Sequence, residues 1–518
     1  MLKFWDRSIR HCDGVSRRQF LAAGSAGFGG LTLANLLQAE EAAGIGSSHK
    51  AVINIHLDGG PPQMDTIDMK PHAPAEIRGE FLPIQTSLNG FQICELFPKI
   101  AAMADRFSYI RSLVGSAGRH DAFQCQSGYG TNELKGQGGR PAIGCVINRL
   151  LSSTDDTSPA FVDLMQGRPL VRNSARPGFL GPSYGPFRPD LSKLFARELE
   201  TGMKGELARL GSNHTTSLVL NPDIPLGRIN SRRTLLAGLD RIRREADASG
   251  MMDAMDRFTQ QAVGILTSGR FAQALDFTNE PPEVLARYTT PPDSIERFAT
   301  SESPDGSLKL LLARRLIEAG VRVVSLTISD FDTHSKNFPR MRQMAPIIDQ
   351  GLTALVTDLD ERGMLDDVTI VAWGEFGRTP RINKNGGRDH WPRVSPALIV
   401  GGGCQAGQVI GKTDRQAGAP TERPVHYQDV VATLFNNLGI DAATTTIQDT
   451  RGRPQYLLDS GTPIRELVQF PRTRDDQKKR PQQVPHGNPV SCEFSAGDMS
   501  HAEYPGAAPR FAATDQSP

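Results

Sequence analysis

Between Leu308 and Val400 two kinds of hydrophobic pattern take turns, and few folds accept that alternation. Leu308 to Ala319 carries apolar residues at helical spacing and stops at Gly320, a residue suited to the left-handed turn that ends a helix. Val321 to Ile328 is a β-branched run and predicts a strand. Ile347, Ile348, Leu352, Leu355 and Leu359 mark a second helix, closed by Gly363. Val368 to Trp373 and Pro396 to Val400 are short apolar runs that predict two more buried strands. Helix, strand, helix, strand in succession predicts an α/β fold with a mostly parallel, doubly wound sheet flanked by helices. In such sheets ligands meet the carboxyl ends of the strands, so function is sought just past each apolar run.

Four such strand ends carry chemistry. Lys50 to Leu57 predicts a first strand, followed by Asp58-Gly59-Gly60-Pro61-Pro62, a sharp turn with an acid at the strand tip. Asp65 and Asp68 come next, and three acids past a buried strand suit a hard or borderline cation, or else the ordinary hydrogen bonding of an Asp-rich turn. Arg106 to Val114 predicts a second strand, after which Gly115-Ser116-Ala117-Gly118-Arg119-His120-Asp121 leads into an expected helix running to Ser127. At a strand-to-helix turn, Ser116 is either an N-cap or a nucleophile whose hydroxyl the helix dipole activates. Val321 to Ile328 ends in Ser329-Asp330-Phe331-Asp332-Thr333-His334, acids and a histidine with the types and close spacing of metal ligands. Trp373 is followed by Gly374 and Glu375, then by a loop holding Arg378, Arg381, Arg388, Asp389, His390 and Arg393. Basic groups, acids and an imidazole between two buried strands fit an anion site, with or without a metal.

The chain has 518 residues and a net charge of +1, long enough for a large core and too balanced to suggest nucleic acid as a partner. Ser16-Arg17-Arg18-Gln19-Phe20-Leu21 with the weakly apolar Ala22 to Leu37 is a twin-arginine (Tat) export pattern. The expected division is therefore a signal peptide at 1–45, one catalytic-type domain at 46–470 and a disordered tail at 471–518, rich in Pro, Gln and charge. After the signal, no run is apolar enough to anchor the chain across a bilayer. The product is expected in the periplasm or outside the cell. Cys12, Cys94, Cys125, Cys145, Cys404 and Cys492 include no CxxC pair, which argues against a cysteine zinc site and predicts mostly buried thiols. In the middle of the chain, Arg168 to Pro189 predicts a long loop, a lid or substrate wall. Leu235, Leu236, Leu239 and Ile242 predict a core-packing helix.

Taken together, the strand tips resemble those of the alkaline phosphatase superfamily, which includes sulfatases, phosphodiesterases and phosphopentomutases. More closely, the chain resembles a bacterial family of twin-arginine-exported proteins in that superfamily, known only as a domain of unknown function. The resemblance is carried by Gly59-Gly60-Pro61 with Asp65-Thr66-Ile67-Asp68 and Lys70-Pro71, by Asp332-Thr333-His334, by Gly374-Glu-Phe-Gly-Arg-Thr-Pro380 and by Gly387-Arg-Asp-His-Trp-Pro392, over about residues 50 to 440. It implies an alkaline-phosphatase-like fold and one or two divalent metals, usually zinc, with calcium or manganese as alternatives. Asp332 (or Asp330), His334 and His390 are similar to the ligands of one metal. Asp58, Ser116 and Glu375 lie at places comparable to those of the other, with Asp65 an alternative to Asp58. Asp389 stands beside His390 in the Asp-His pair. Where the superfamily has a histidine after the second acid, this chain has Phe376, and Arg378 and Arg388 are expected to clamp the anion in place of the lost charge.

The resemblance implies a metal-dependent hydrolase of phosphate or sulfate esters acting on a small anionic ester or a sulfated glycan. Ser116 or water would attack, with His120 orienting the nucleophile or moving a proton. The rivals are a protein that binds sulfated glycans without turnover and a structural cell-envelope protein with no site.

Overall fold

The computed structural model describes residues 50–468, apart from 135–137, 153–155, 157, 168–174, 190, 192–193, 196–268 and 291–296. The twin-arginine segment, the Leu235–Ile242 stripe and the tail lie outside the described residues. Eight strands form the central sheet: β1 (Ala51–Asp58), β2 (Ser108–Val114), β3 (Phe161–Leu164), β4 (Val323–Ser329), β5 (Val368–Trp373), β6 (Ser395–Gly401), β7 (Val409–Ile410) and β8 (Val425–His426). The order across the sheet is β7-β2-β6-β5-β1-β4-β3, with β8 also pairing with β2. Every neighbouring pair is parallel except those of β6, which runs antiparallel to both β5 and β2.

Helices cover both faces. Along β1 the residues alternate sides, as the two-residue period of a strand requires. Ile53, Ile55 and Leu57 join an apolar layer with α2 (Leu308–Glu318) and α3 (Asn337–Glu361). Val52 joins the opposite layer, which holds α1 (Ile143–Leu151) and α4 (Tyr427–Asn437). All eight residues of β1 are buried, because parallel central strands are covered on both sides.

This arrangement brings the carboxyl ends of β1, β2, β4 and β5 to one rim. Since β6 is antiparallel, it begins at that rim, and the segment from Gly374 to Val394 leaves and re-enters the sheet there. Two expectations need correction. The helix expected after β2 is a single turn, Gln124–Ser127, so Ser116 does not stand at a helix N-terminus. Gly115 and Gly118, with φ of +99° and +67°, break the helical path. The described part of the Arg168–Pro189 segment is tied to the sheet edge instead of forming a lid. Phe187 exchanges backbone hydrogen bonds with β3, and Arg188 pairs with the buried Asp163. Cys94, Cys125, Cys145 and Cys404 are free thiols, and the first three are buried.

Candidate metal centre

Two imidazoles and a carboxylate converge at the rim. Asp332 follows β4, and its Oδ1 lies 3.1 Å from His334 Nε2 and 3.2 Å from His390 Nε2. The two Nε2 atoms are 3.0 Å from each other. The outer ring nitrogens decide what this means. His334 Nδ1 lies 2.7 Å from Asp389 Oδ1, and His390 Nδ1 lies 3.1 Å from the Gly118 carbonyl oxygen. Both partners are acceptors, so the tautomers assigned from them place the N–H on Nδ1 in each neutral ring and leave each Nε2 with a lone pair. Three lone-pair atoms then face one another with no proton between them. Around an ion with bonds of about 2.0–2.1 Å, tetrahedral ligand atoms stand roughly 3.3 Å apart, close to these separations. A metal-bound histidine typically donates its other N–H to a carboxylate or carbonyl, as both do here.

His390 reaches the cluster because Gly377–Arg378 pairs antiparallel with His390–Trp391, folding the loop back on itself. Phe376 fills the space between. Its buried ring stacks on His390 at 4.1 Å and 29° and packs near His120 at 5.4 Å. His120, from the segment after β2, bridges the carboxylates of Asp332 (3.2 Å to Oδ2) and Glu375 (3.0 Å to Oε1). Glu375 is fully buried and also accepts from the Gly59 backbone N–H. Asp58, at the tip of β1, is buried on the same side of the pocket, and His56 is within 3.9 Å of it. His56 carries no motif signal; the one cue is its place two residues before Asp58, which on a strand puts both on one face. Two trios offer ligand atoms within 4.8 Å of one another: His120, Asp332 and His390, and the buried His56, Asp58 and Glu375.

Electrostatics favour ionised carboxylates here. Burial raises the Asp332 carboxyl, but the His120 hydrogen bond, the neighbouring His390 imidazole and the Arg378 charge outweigh it and hold the group well below the usual carboxylate range. Burial likewise raises Glu375, and the His120 hydrogen bond with the nearby His56 brings it below its ordinary value. The hydrogen bond with His334 lowers Asp389.

The remaining expected site residues are tied up in hydrogen bonds within the protein. Arg388 and Asp65 form a buried ion pair, with Nε to Oδ2 at 2.7 Å and Nη2 to Oδ1 at 2.9 Å. Ile77, Thr379 and Pro380 carbonyls take the other guanidinium protons, and Asn337 Nδ2 donates to Asp65 Oδ2. All five donors of Arg388 are engaged, so it has none for an anion, and Asp65 is turned to Arg388 instead of a cation. Arg378 is also buried. It donates to the carbonyls of Gly59, Gly60 and Arg388 and to Asp332 Oδ1 at 2.8 Å, so its guanidinium is turned to the protein's own acceptors and holds the Asp332 carboxylate instead of standing free to clamp an anion. Asp330 is held outside the cluster by Arg340, Thr300 and Ser301. Ser116 reaches the rim, where its hydroxyl donates to the Glu375 carbonyl at 2.6 Å and accepts from the Gly118 N–H. Gly59 and Gly60, at φ of +102° and +80°, allow the loops to close. A Cβ on Gly59 would stand 2.3 Å from the Asp332 nitrogen, and one on Gly60 would stand 2.4 Å from the Phe376 ring.

No helix among the described residues is long and apolar enough to cross a membrane. Solved structures similar to the chain include Ps i-CgsB in complex with k-i-k-neocarrahexaose, at 10% identity over 75% of this chain and 72% of that chain, with a TM-score of 0.32. They also include the lipoteichoic acid synthase LtaP from Listeria monocytogenes, at 11% identity over 80% and 88%, with a TM-score of 0.29. A third is the phosphonate monoester hydrolase SpPMH from Silicibacter pomeroyi, at 10% identity over 81% and 76%, with a TM-score of 0.30. No curated protein matches the chain. Residues 49–468 match the family described as protein of unknown function (DUF1501), and the chain belongs to that family.

Proposed function

We propose that the protein is an exported, metal-dependent hydrolase of sulfate or phosphate esters. The observation that carries this reading is the convergence of His334 Nε2, His390 Nε2 and Asp332 Oδ1 within 3.0–3.2 Å of one another, with each ring's Nδ1 turned to an acceptor. These three residues would hold a divalent ion, zinc by its preference for imidazole and carboxylate in a near-tetrahedral set. When bound, such an ion polarises an ester oxygen and offsets the charge that develops there. Asp389 and Gly118 fix the two imidazoles, and Arg378 holds Asp332 in place. His120, set between Asp332 and Glu375, is placed to orient the attacking group and to move its proton. Ser116 brings a hydroxyl to the same rim as the candidate nucleophile, with water as the alternative. Arg119, exposed and next in sequence to His120, and Arg393, exposed and near Trp391, would add positive charge that favours an anionic substrate. The twin-arginine segment supports export by the Tat pathway to the periplasm or beyond.

A second reading is favoured by one feature. The Ser116 hydroxyl already donates to the Glu375 carbonyl and lacks a helix N-terminus to activate it. A site that holds sulfated or phosphorylated glycans without turnover would look like this. The test is hydrolysis of nitrophenyl phosphate, a bis-nitrophenyl phosphodiester and nitrophenyl sulfate, with zinc, manganese or calcium added. Metal-dependent turnover that falls at least a hundredfold in His390→Ala supports the hydrolase. Full activity in His390→Ala refutes these roles, and a metal-loaded protein with no turnover on any ester supports binding alone.

A further inference from the structure

Some of the residues that shape the pocket do so without touching it. Gln63 stands in the turn Gln63–Asp65, just past β1, and is completely buried. Its carboxamide spends both donors on backbone carbonyls, Nε2 to Arg378 O and to Ala417 O, each at 2.9 Å. Its Oε1 accepts from the Arg378 backbone N–H, also at 2.9 Å. These partners fix the orientation of the amide, because the reverse placement would set its oxygen against two carbonyls. One side chain thus supplies Arg378 with the pair of backbone bonds that a neighbouring strand would give. The fit is close, since a Cβ on Gly377 would stand 2.5 Å from Gln63 Oε1.

The amide joins three segments. The first is the turn after β1 that carries it. The second is Gly377–Arg378, which pairs with His390–Trp391. That pairing presents His390, and the Arg378 guanidinium holds Asp332 Oδ1. The third is a ribbon between β7 and β8, in which Lys412–Thr413 pairs with Pro420–Glu422. Its turn contains Ala417, buried at a φ of +56°, a conformation that a residue other than glycine keeps only where its surroundings impose it. Gln63 takes the carbonyl of Ala417, and Trp391 Nε1 takes that of Gly418 at 2.7 Å. Thr413 adds a bond to the buried Asp68. The ribbon is therefore pinned by the neighbours of two metal-site residues: Gln63, which holds Arg378 and through it Asp332, and Trp391, which follows His390.

We propose that Gln63 is a positioning residue for the metal centre and couples the order of the 412–422 ribbon to metal occupancy. It acts on Asp332 through the backbone and guanidinium of Arg378. Coupling of this kind is reciprocal: if an ordered ribbon favours metal, bound metal must favour the ordered ribbon. The inference rests on the metal-dependent reading above, and its readouts are zinc affinity and backbone exchange, not turnover.

The experiment uses the full chain with zinc as the probe. Zinc affinity is read by competition with a chromogenic chelator, well below the melting temperature. Gln63→Met keeps the bulk and removes the amide. Leu316→Ala, in the buried face of α2, serves as a control that loses stability far from the pocket. The expected result is about tenfold weaker zinc binding in Gln63→Met and unchanged binding in Leu316→Ala. Hydrogen exchange on the unsubstituted protein supplies the reciprocal measurement, with zinc slowing exchange across residues 412–422 severalfold. Folded Gln63→Met with full zinc affinity overturns the proposal, as does equal weakening in Leu316→Ala. Should Gln63→Met fail to fold, the exchange measurement decides, and a ribbon indifferent to bound zinc overturns the coupling. A chain that takes up no zinc at all refutes the metal-dependent reading and this inference with it, whereas zinc held equally with and without the amide refutes this inference alone.

Discussion

Replacing Asp65 by Asn separates a structural role from a metal-binding one. In the folded protein Asp65 faces Arg388 through two hydrogen bonds of 2.7 and 2.9 Å, and both side chains are completely inaccessible. Asn is nearly the same size but neutral, and one of its two terminal atoms becomes a donor facing a guanidinium that has only donors. The change leaves a buried positive charge without its counter-ion, which costs about 3–5 kcal/mol in comparable pairs. For roughly 320 described residues, at ~2.1 cal/mol/K of unfolding entropy each, that loss lowers the melting temperature by about 4–7 °C. Urea titration and calorimetry measure it, and zinc is counted on the same samples. The expected outcome is a large loss of stability with metal content unchanged. Replacing Arg388 by Met in the same chain removes the stranded charge and recovers part of the loss. The reasoning fails if Asp65→Asn keeps full stability or loses an equivalent of metal, because Asp65 would then serve a cation and not Arg388.

Asp389→Asn weakens the carboxylate that orients His334 and lowers zinc affinity 10–100-fold, read by competition with a chromogenic chelator. Gly59→Ala forces a methyl group against the Asp332 backbone at a positive φ, so the variant is destabilised by more than ~1 kcal/mol in denaturant titration and binds zinc more weakly. Asp349 gives a pH signature. Burial outweighs its bonds from the Lys99 and Ile100 N–H groups and pushes its carboxyl up to about 6. A raised folded value means the group's contribution is complete below about pH 4 and is lost as pH rises to about 6, a fall on the order of 3 kcal/mol. Asp349→Asn should flatten the stability–pH curve across that window, and an unchanged slope would count against the assignment.

The strands were the most legible part of the fold. Val368–Trp373 is bounded as its apolar letters indicate, because a strand buried on both faces needs an unbroken run. That Asp332, His334 and His390 belong together was legible from residue type and place, and they meet although 56 positions separate the two histidines. Arg388 and Asp65 misled for a physical reason. Their letters suit a clamp and a ligand, and only a pairing across 323 positions shows that each neutralises the other inside the protein. His56 was hidden by its surroundings. In a strand with every residue buried, the two-residue alternation of polar and apolar letters that marks a face is weak. The segment after β2 kept its helical letters but met two left-handed glycines, and its polar groups turned to Glu375 and His390.

The single reversed strand, β6, has a consequence for how such a protein can diversify. Parallel neighbours demand a crossing of the whole domain between them, so any insertion there must still span that distance. The stretch from Gly374 to Val394 is released from this demand, as both its ends are stitched to the same edge. Its exposed tip, around Arg381 to Gly386, can lengthen or shorten like a removable cuff, while the buried Phe376, Arg378 and Arg388 keep its base fixed to the packing beneath. Relatives that handle different molecules are therefore expected to differ most at that tip, between Arg381 and Gly386.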